Sequence, residues 1–484
     1  MIKNKLIDSS KKNYSFNRGD LAVVAIMFAT AVLITFVSVF LLVKDVKAAI
    51  SHYPTLILTV LSIFALLITA YFCVKRYSKR SLNLGRNVAI STTTIVISVI
   101  VSVILSVYVN KMSLVLLLAV MLVAITVDIH VSIYINVVTS LIYLVLLVSE
   151  AKITGGNIAY SSLVAVLMSI LTGIFMTNLL RKNYTRYKMI AGSVFYVIIA
   201  SVTVIPFSVI YSTDYKEILM NGAWFLVGSL IAIALYTVLL PIYENVFKVW
   251  TDFKLAEVAS FSHPLLLRLR EEAPGTFNHS LVVGNLAESC AMAIGEDPYL
   301  ARVAAYYHDV GKLKNPKMFV ENQDASYNPH DELIPEVSAR MITRHAKEGY
   351  NLLKKNNMPE EIARIAVEHH GTSAVKFFYM KAQRITEGNL SMSKYRYDGP
   401  KPSSKISAII MICDTIEAAV RSRQPAGEEE LRAFVKAMIK DKIDMNQFDE
   451  SNITFEDLGI IEEEIVKTIP SIYHHRIDYS KEKK

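Results

Sequence analysis

Seven residues in the C-terminal part of this 484-residue chain could do metal chemistry: His279, His308, Asp309, His345, His369, His370 and Asp414. Imidazole nitrogens and carboxylate oxygens are the donors that hold first-row transition metals, and seven of them suffice for two ions. The chain has only 11 histidines, so this segment concentrates them. Any one of these histidines, taken alone, could be a helix residue satisfied by backbone or solvent. The set, with the adjacent pairs His308-Asp309 and His369-His370, reads as a metal centre. Neighbours on a helix project about 100° apart, so each pair can close around one ion or split between two. Two ions about 3.5–4 Å apart neutralise a phosphodiester anion, supply a strong nucleophile at neutral pH and hold the attack in line. A bridging carboxylate keeps ions that close, and Asp309 is the natural bridge. A donor set without thiolate suits Mn or Fe better than Zn.

The surrounding stretches are APGTFNHSLVVGNLAES, ARVAAYYHDVGKLKNPKMFVENQ, NPHDEL, RHAKEGYNLLKK, AVEHHGTSAVKFFYMKA and AIIMICDTIEAAVRS. Over roughly 250–480 they resemble the HD-domain phosphohydrolase superfamily. The resemblance is closest to its seven-transmembrane-receptor branch, whose PgpH-type members hydrolyse cyclic di-AMP. It implies that His279, His308 and Asp414 complete one metal's ligands and that His345, His369 and His370 complete the other's. It further implies two divalent ions, Mn or Fe, and catalytic roles for Asp309 and Lys312. Lys312 follows in HDVGK and is expected to contact a substrate phosphate. Asn322, Gln323 and His330, in the ENQ and NPHD segments, either line the substrate cleft or order the loop over it. His263 is expected to be structural, Tyr306 and Tyr307 to be core or supporting residues, and Glu368 a helix-surface charge. His474 and His475 are expected to pack or cap rather than ligate. One departure from the branch is that only the stretch 44–54 lies where a large extracellular domain usually follows the first membrane helix.

The elements that must position these residues fall into two kinds. A hydrophobic fraction of 53% and a mean hydropathy of +0.37 are too high for a soluble chain of this length, and the excess sits in the first half. Runs near 20 residues, almost free of charge, can span a hydrocarbon core about 30 Å thick. Eight are expected, at about 21–43, 56–74, 88–109, 113–127, 131–149, 161–180, 190–211 and 222–243. The fourth is short, and Asp128 and His130 separate it from the fifth. Asp128 is expected to be an interfacial turn residue.

Charge placement orients these spans. The N-terminal segment (Lys3, Lys5, Lys11, Lys12, Arg18), the second loop (Lys75, Arg76, Lys79, Arg80, Arg86) and the sixth (Arg181, Lys182, Arg186, Lys188) are basic. The alternate loops hold Lys44, Asp45 and Lys47, then Glu150 and Lys152, then Asp214, Lys216 and Glu217, and are nearly neutral. Positive-inside asymmetry puts the N-terminus in the cytoplasm, and an even number of spans returns the chain there. The net charge of +8 reflects these clusters, which can meet anionic headgroups. No basic stripe interleaved with aromatics points to a nucleic-acid polymer. The first span lacks the small-residue cleavage site of a signal peptide. Three cysteines without CxxC spacing fit a reducing cytoplasm and receive no role.

The expected fold is all-α: a polytopic helical membrane domain followed by a cytoplasmic, all-helical HD domain. The expected divisions are a basic arm (1–18), the membrane domain (19–245), a helical linker (246–274), the HD domain (275–475) and a charged tail (476–484). Pro274-Gly275 is expected to stop the linker helix just before His279. Pro335 and Pro359 are expected at helix starts, where a missing amide hydrogen costs nothing. The stretches 315–331 and 387–404 read as loops. The resemblance implies a multi-pass protein of the bacterial cell membrane with cyclic di-AMP as substrate, lipids as neighbours and a homo-oligomer compatible with the pattern. Two other readings stand. A cyclic di-GMP hydrolase is weakened because HHGTSAVKFFYMKA carries no GYP. A catalytically silent receptor is weakened by the full ligand set.

Overall fold

The structure, a computed structural model, describes residues 18–77, 84–180, 186–323, 327–385, 390–425 and 427–472. The described residues are helical apart from connecting turns, with one isolated antiparallel bridge between Ala374 and Arg396. The chain divides into two units, 1–253 and 254–484. The basic arm up to 17, the loop residues Lys79, Arg80, Arg181 and Lys182, and His474, His475 and the tail lie outside the described residues.

The first unit contains α1 (Arg18–Val43), α2 (Val46–Ser51), α3 (Tyr53–Tyr77), α4 (Leu84–Tyr108), α5 (Leu117–Thr126), α6 (Ile129–Thr154), α7 (Tyr160–Leu180), α8 (Arg186–Val209) and α9 (Tyr215–Val246). Seven of these are long and apolar enough to cross a membrane, one fewer than the eight expected spans. The difference is the fourth segment, which forms the ten-residue α5. Its start is held in irregular backbone by distant partners: the Val115 amide donates to the Ser102 hydroxyl at 3.0 Å, and the Ser113 hydroxyl donates to the Trp224 carbonyl at 3.2 Å. Gly228 makes room for this approach, since a Cβ there would fall 2.7 Å from the Leu114 nitrogen.

The segment nevertheless runs the length of α6. Lys111, before α5, shares a cavity with Glu150 near the C-terminal end of α6. Asp128, after α5, caps the N-terminal end of α6 by accepting from the His130 amide at 2.7 Å, which gives it the expected turn role. From Asp128 to Glu150 α6 covers about 33 Å at 1.5 Å per residue, close to a hydrocarbon thickness.

The second unit contains most of α10 (Asp252–Val258), then α11 (Pro264–Glu272), α12 (Pro274–Ile294), α13 (Pro298–Tyr307), α14 (Pro335–Lys355), α15 (Glu360–Glu368), α16 (Lys376–Ile385), α17 (Lys405–Arg423), α18 (Glu428–Asp444) and α19 (Phe455–Ile472). α12 packs on α13, α17 and α19, and α14 packs on α15 and α16. Leu286, Ile409 and Ile461 in this core are 0% exposed, each contributing about 1.5–3 kcal/mol by burial.

Pro274 and Gly275 begin α12 rather than ending the helix before it. Proline at the first helical position gives up an amide that would be orphaned anyway. Gly275 is required by proximity: a Cβ there would fall 1.9 Å from the Glu321 carbonyl oxygen. Pro335 opens α14 as expected, while Pro359 is the residue just before α15.

Candidate metal centre

Five helices of the second unit deliver the donors. His279 comes from α12, His345 from α14 and Asp414 from α17. His308 and His369 each sit at the residue that ends a helix, α13 and α15 respectively. The chain therefore breaks at the HD pair, turning into a 3-10 segment, Val310–Lys314, instead of continuing as helix. That turn is compact because Gly311 lies against α14, where a Cβ would fall 2.0 Å from the His345 carbonyl oxygen.

The donors fall into two groups of four that share Asp309: His279, His308, Asp309 and Asp414, and Asp309, His345, His369 and His370. Within each group the ligand atoms all lie within 4.8 Å of one another. Asp309 Oδ1 is 3.2 Å from His345 Nε2 and 3.5 Å from His369 Nε2. Asp309 Oδ2 is 3.3 Å from His308 Nε2 and 3.8 Å from His279 Nε2. Asp414 Oδ1 lies 3.0 Å from His279 Nε2, and Oδ2 lies 3.7 Å from His370 Nδ1.

The outward nitrogens fix the tautomers. The Nδ1 atoms of His308, His345 and His369 meet the carbonyls of Ala305 (2.6 Å), Ile342 (2.6 Å) and Ala366 (3.0 Å). A carbonyl only accepts, so Nδ1 carries a proton and Nε2 is the nitrogen turned to the centre, the usual arrangement of ligating histidines. His279 directs Nδ1 to the Glu417 carboxylate.

The residues present fit divalent ions. His308 Nε2 and Asp309 Oδ1 are buried without a hydrogen-bonding partner, an arrangement costing about 1–3 kcal/mol per group that cations held by the two donor groups would relieve. Four imidazoles and two carboxylates are buried together here. Burial favours the neutral carboxyl of Asp309, but the Lys312 ammonium and His308 outweigh it and hold Asp309 well below the usual range. Burial drives His370 down, so its ring stays neutral and able to ligate.

The donors open onto a cleft of about 590 Å³ lined by His279, Lys312, His345, His370 and Asp414 together with Thr415, Ala418, Ala419 and Ser422 of α17. Its size suits a small organic ligand. Lys312 projects into it, 2.7 Å from Glu321. Asn322, Gln323 and His330 are not among the residues that line it, and each hydrogen-bonds to backbone nearby. Asn322 accepts from the Thr276 amide at 3.2 Å. Gln323 donates to the Lys317 carbonyl at 3.0 Å. The His330 ring meets the Met318 carbonyl at 2.8 Å and packs on Phe378.

His263 stays outside the cluster and sets its ring edge-on to Tyr307, which is fully buried and donates to the Val258 carbonyl at 2.6 Å. Tyr306 is buried beside Arg302. Glu368 departs from expectation: it is buried, accepting from the Ser403 amide (3.0 Å) and hydroxyl (2.8 Å) and from Arg364 (2.9 Å). It thereby ties the turn bearing His369 to the segment before α17. Two further residues at the site were not singled out in the sequence. Glu417 orients His279. Tyr397 lies over His370 with ring centroids 4.3 Å apart. Burial, with the carboxylates of Asp309, Asp414 and Glu321, keeps its hydroxyl protonated, so it is a neutral donor at the cleft wall.

With this geometry in place, comparison with known proteins is informative. Residues 276–419 match the HD domain, and residues 52–251 match the family described as 7TM receptor with intracellular HD hydrolase. The chain is 38% identical over 313 residues to cyclic-di-AMP phosphodiesterase PgpH of Bacillus subtilis, covering 64% of this chain. It is 39% identical over 321 residues to the PgpH of Listeria monocytogenes, covering 66% of this chain. In both cases it spans 44% of the relative's length. The crystal structure of the L. monocytogenes PgpH HD domain in complex with cyclic di-AMP is 46% identical, with a TM-score of 0.43, and is covered in full by 45% of this chain. Apolar helices in the first unit, an HD constellation in the second and matches to both halves lead to one assignment: the chain belongs to the family of seven-transmembrane receptors with an intracellular HD hydrolase domain.

Proposed function

We propose that this protein is a membrane-anchored, metal-dependent phosphodiesterase that opens cyclic di-AMP to the linear dinucleotide pApA. The observation that carries the reading is the pair of four-donor groups sharing Asp309. It is supported by similarity to two relatives named cyclic-di-AMP phosphodiesterases. His279, His308 and Asp414 would hold one ion and His345, His369 and His370 the other, with the Asp309 carboxylate common to both donor groups. The donor set favours Mn or Fe. Ions bound there supply charge neutralisation at the phosphoryl oxygens and an activated water.

The chain's own residues do the rest. Glu417 and the three backbone carbonyls keep the imidazoles aimed inward. Lys312 adds a positive charge beside the bridging carboxylate, where a phosphate oxygen gains negative charge as water attacks. One P–O bond to a ribose 3′ oxygen breaks, that oxygen takes a proton, and the other diester remains closed.

The membrane unit crosses the bilayer eight times, with the N-terminus and the catalytic unit in the cytoplasm. This rests on the 112–127 segment running antiparallel to α6, and on Lys75, Arg76, Arg186 and Lys188 marking alternate loops. The catalytic unit is the 275–475 stretch.

The test is a comparison of initial rates of the purified chain on cyclic di-AMP and cyclic di-GMP, with Mn and separately with Fe. Adenine presents an amine donor where guanine presents a carbonyl, so a buried contact to either base discriminates strongly. Faster release of pApA is expected. A clear preference for cyclic di-GMP would overturn the substrate while leaving the metal-dependent phosphodiesterase standing.

A further inference from the structure

We propose a second ligand site, in the membrane unit, that takes an acidic amino acid. The inference rests on the first unit alone and is independent of the phosphodiesterase reading. A cavity of about 160 Å³ opens at the end of the bundle where α1, α4 and α6 finish and α7 begins. Its polar lining is Lys44, Ser106, Lys111, Tyr143, Glu150 and Ser162, with Leu42 and Leu147 among its aliphatic walls. The volume admits a molecule of amino-acid size and excludes a nucleotide or a peptide.

The lining is built for a polar guest. Tyr143 is 0% exposed, yet its hydroxyl has no hydrogen-bonding partner. The Ser106 hydroxyl, which donates to the Val103 carbonyl at 2.8 Å, lines the same cavity. An orphaned phenol inside a membrane span is costly, because lipid offers it no partner. A ligand acceptor in the cavity removes that cost.

The charges then select the guest. Two lysines, Lys44 and Lys111, share the cavity with one acidic side chain, Glu150. The complement of two positive charges and one negative is two carboxylates and one ammonium, the charge set of aspartate or glutamate. Sulfate would meet repulsion from Glu150 and offers it no donor. Lys44, which follows the end of α1 with φ +58°, is exposed and lines the cavity. By the orientation proposed above, this end faces away from the catalytic unit's compartment, so the guest arrives from outside the cell.

The experiment uses the full chain in lipid nanodiscs, with thermal unfolding and calorimetric titration against L-aspartate, L-glutamate, succinate, L-lysine and sulfate. Ligand that binds only the folded state raises the unfolding temperature saturably. Saturable stabilisation by L-aspartate or L-glutamate is expected, with succinate weaker for lack of an ammonium. Lys44→Gln, at an exposed position, and Tyr143→Phe, which keeps the ring, should each raise Kd at least about tenfold, the size of one charge-assisted contact. Absence of a saturable shift with both acids overturns the proposal. So does an equal shift with L-lysine or sulfate, or an affinity unchanged in both variants.

Discussion

The Lys312 ammonium lies 2.7 Å from the carboxylate of Asp309, three residues earlier, and 4.9 Å from the centre of the Phe319 ring. The 3-10 turn after the HD pair creates this contact. It places a fixed positive charge beside the shared carboxylate without making the lysine a metal ligand. The turn in turn depends on Gly311, so the HDVGK run works as one structural piece.

Lys312→Ala is therefore expected to keep metal content nearly intact and to lower cyclic di-AMP hydrolysis by about 10²-fold, the effect of losing one charge that stabilises the transition state. Elemental analysis beside steady-state rates checks it. Unchanged turnover would return Lys312 to a structural ion pair with Glu321.

Glu417 holds His279 from behind, one turn beyond Asp414 on α17. Glu417→Gln should weaken binding of the ion held by His279 by about 10–100-fold, as loss of an outer partner commonly does. Metal titration of the chelator-stripped protein reads this directly. The conservative Glu417→Asp should recover part of the affinity, which a purely structural role would not require.

Metal uptake should release protons. Burial alone would lower His308, but the carboxylates of Asp309 and Asp414 outweigh it and lift His308 to about 10 in the metal-free protein. Its folded value exceeds the ordinary one of about 6.5, so the stabilising proton is fully present below about pH 6.5. It is lost as pH rises through about 10. Near neutrality a metal ion must displace it, and binding tightens as pH rises. Calorimetric Mn titrations in two buffers of different ionisation enthalpy, at about pH 6 and about pH 8, should show proton release and a lower Kd at the higher pH. A Kd independent of pH would contradict the account.

Gly311→Ala should lower stability by about 1–3 kcal/mol or more, because the added methyl overlaps the His345 carbonyl and must push α14 away. Thermal unfolding and metal affinity should fall together, since the displaced helix carries His345.

Much of this was legible in the sequence, and what was not has physical reasons. The seven donors that converge stand out because adjacent His and Asp pairs are scarce and chemically marked. Glu417 had a readable signal: it lies three residues beyond Asp414, hence on the same helical face. Tyr397 and the buried state of Glu368 had none, because both depend on the segment before α17 folding over α15, a long-range contact. The apolar runs gave the membrane helices, since length and hydropathy are local properties. The shape of the fourth segment was not local: Ser102 and Gly228, on α4 and α9, decide where its helix begins. Pro274-Gly275 fits either end of a helix by residue type, and the nearby Glu321 carbonyl decides it.

The most direct test of the central claim is metal stoichiometry and turnover in the wild type and in Asp309→Ala. The shared carboxylate is what makes one site of two donor groups. The account predicts two Mn or Fe ions per wild-type chain with release of pApA from cyclic di-AMP, and loss of turnover with at most one ion retained in Asp309→Ala. Two ions and normal turnover in the variant would contradict it.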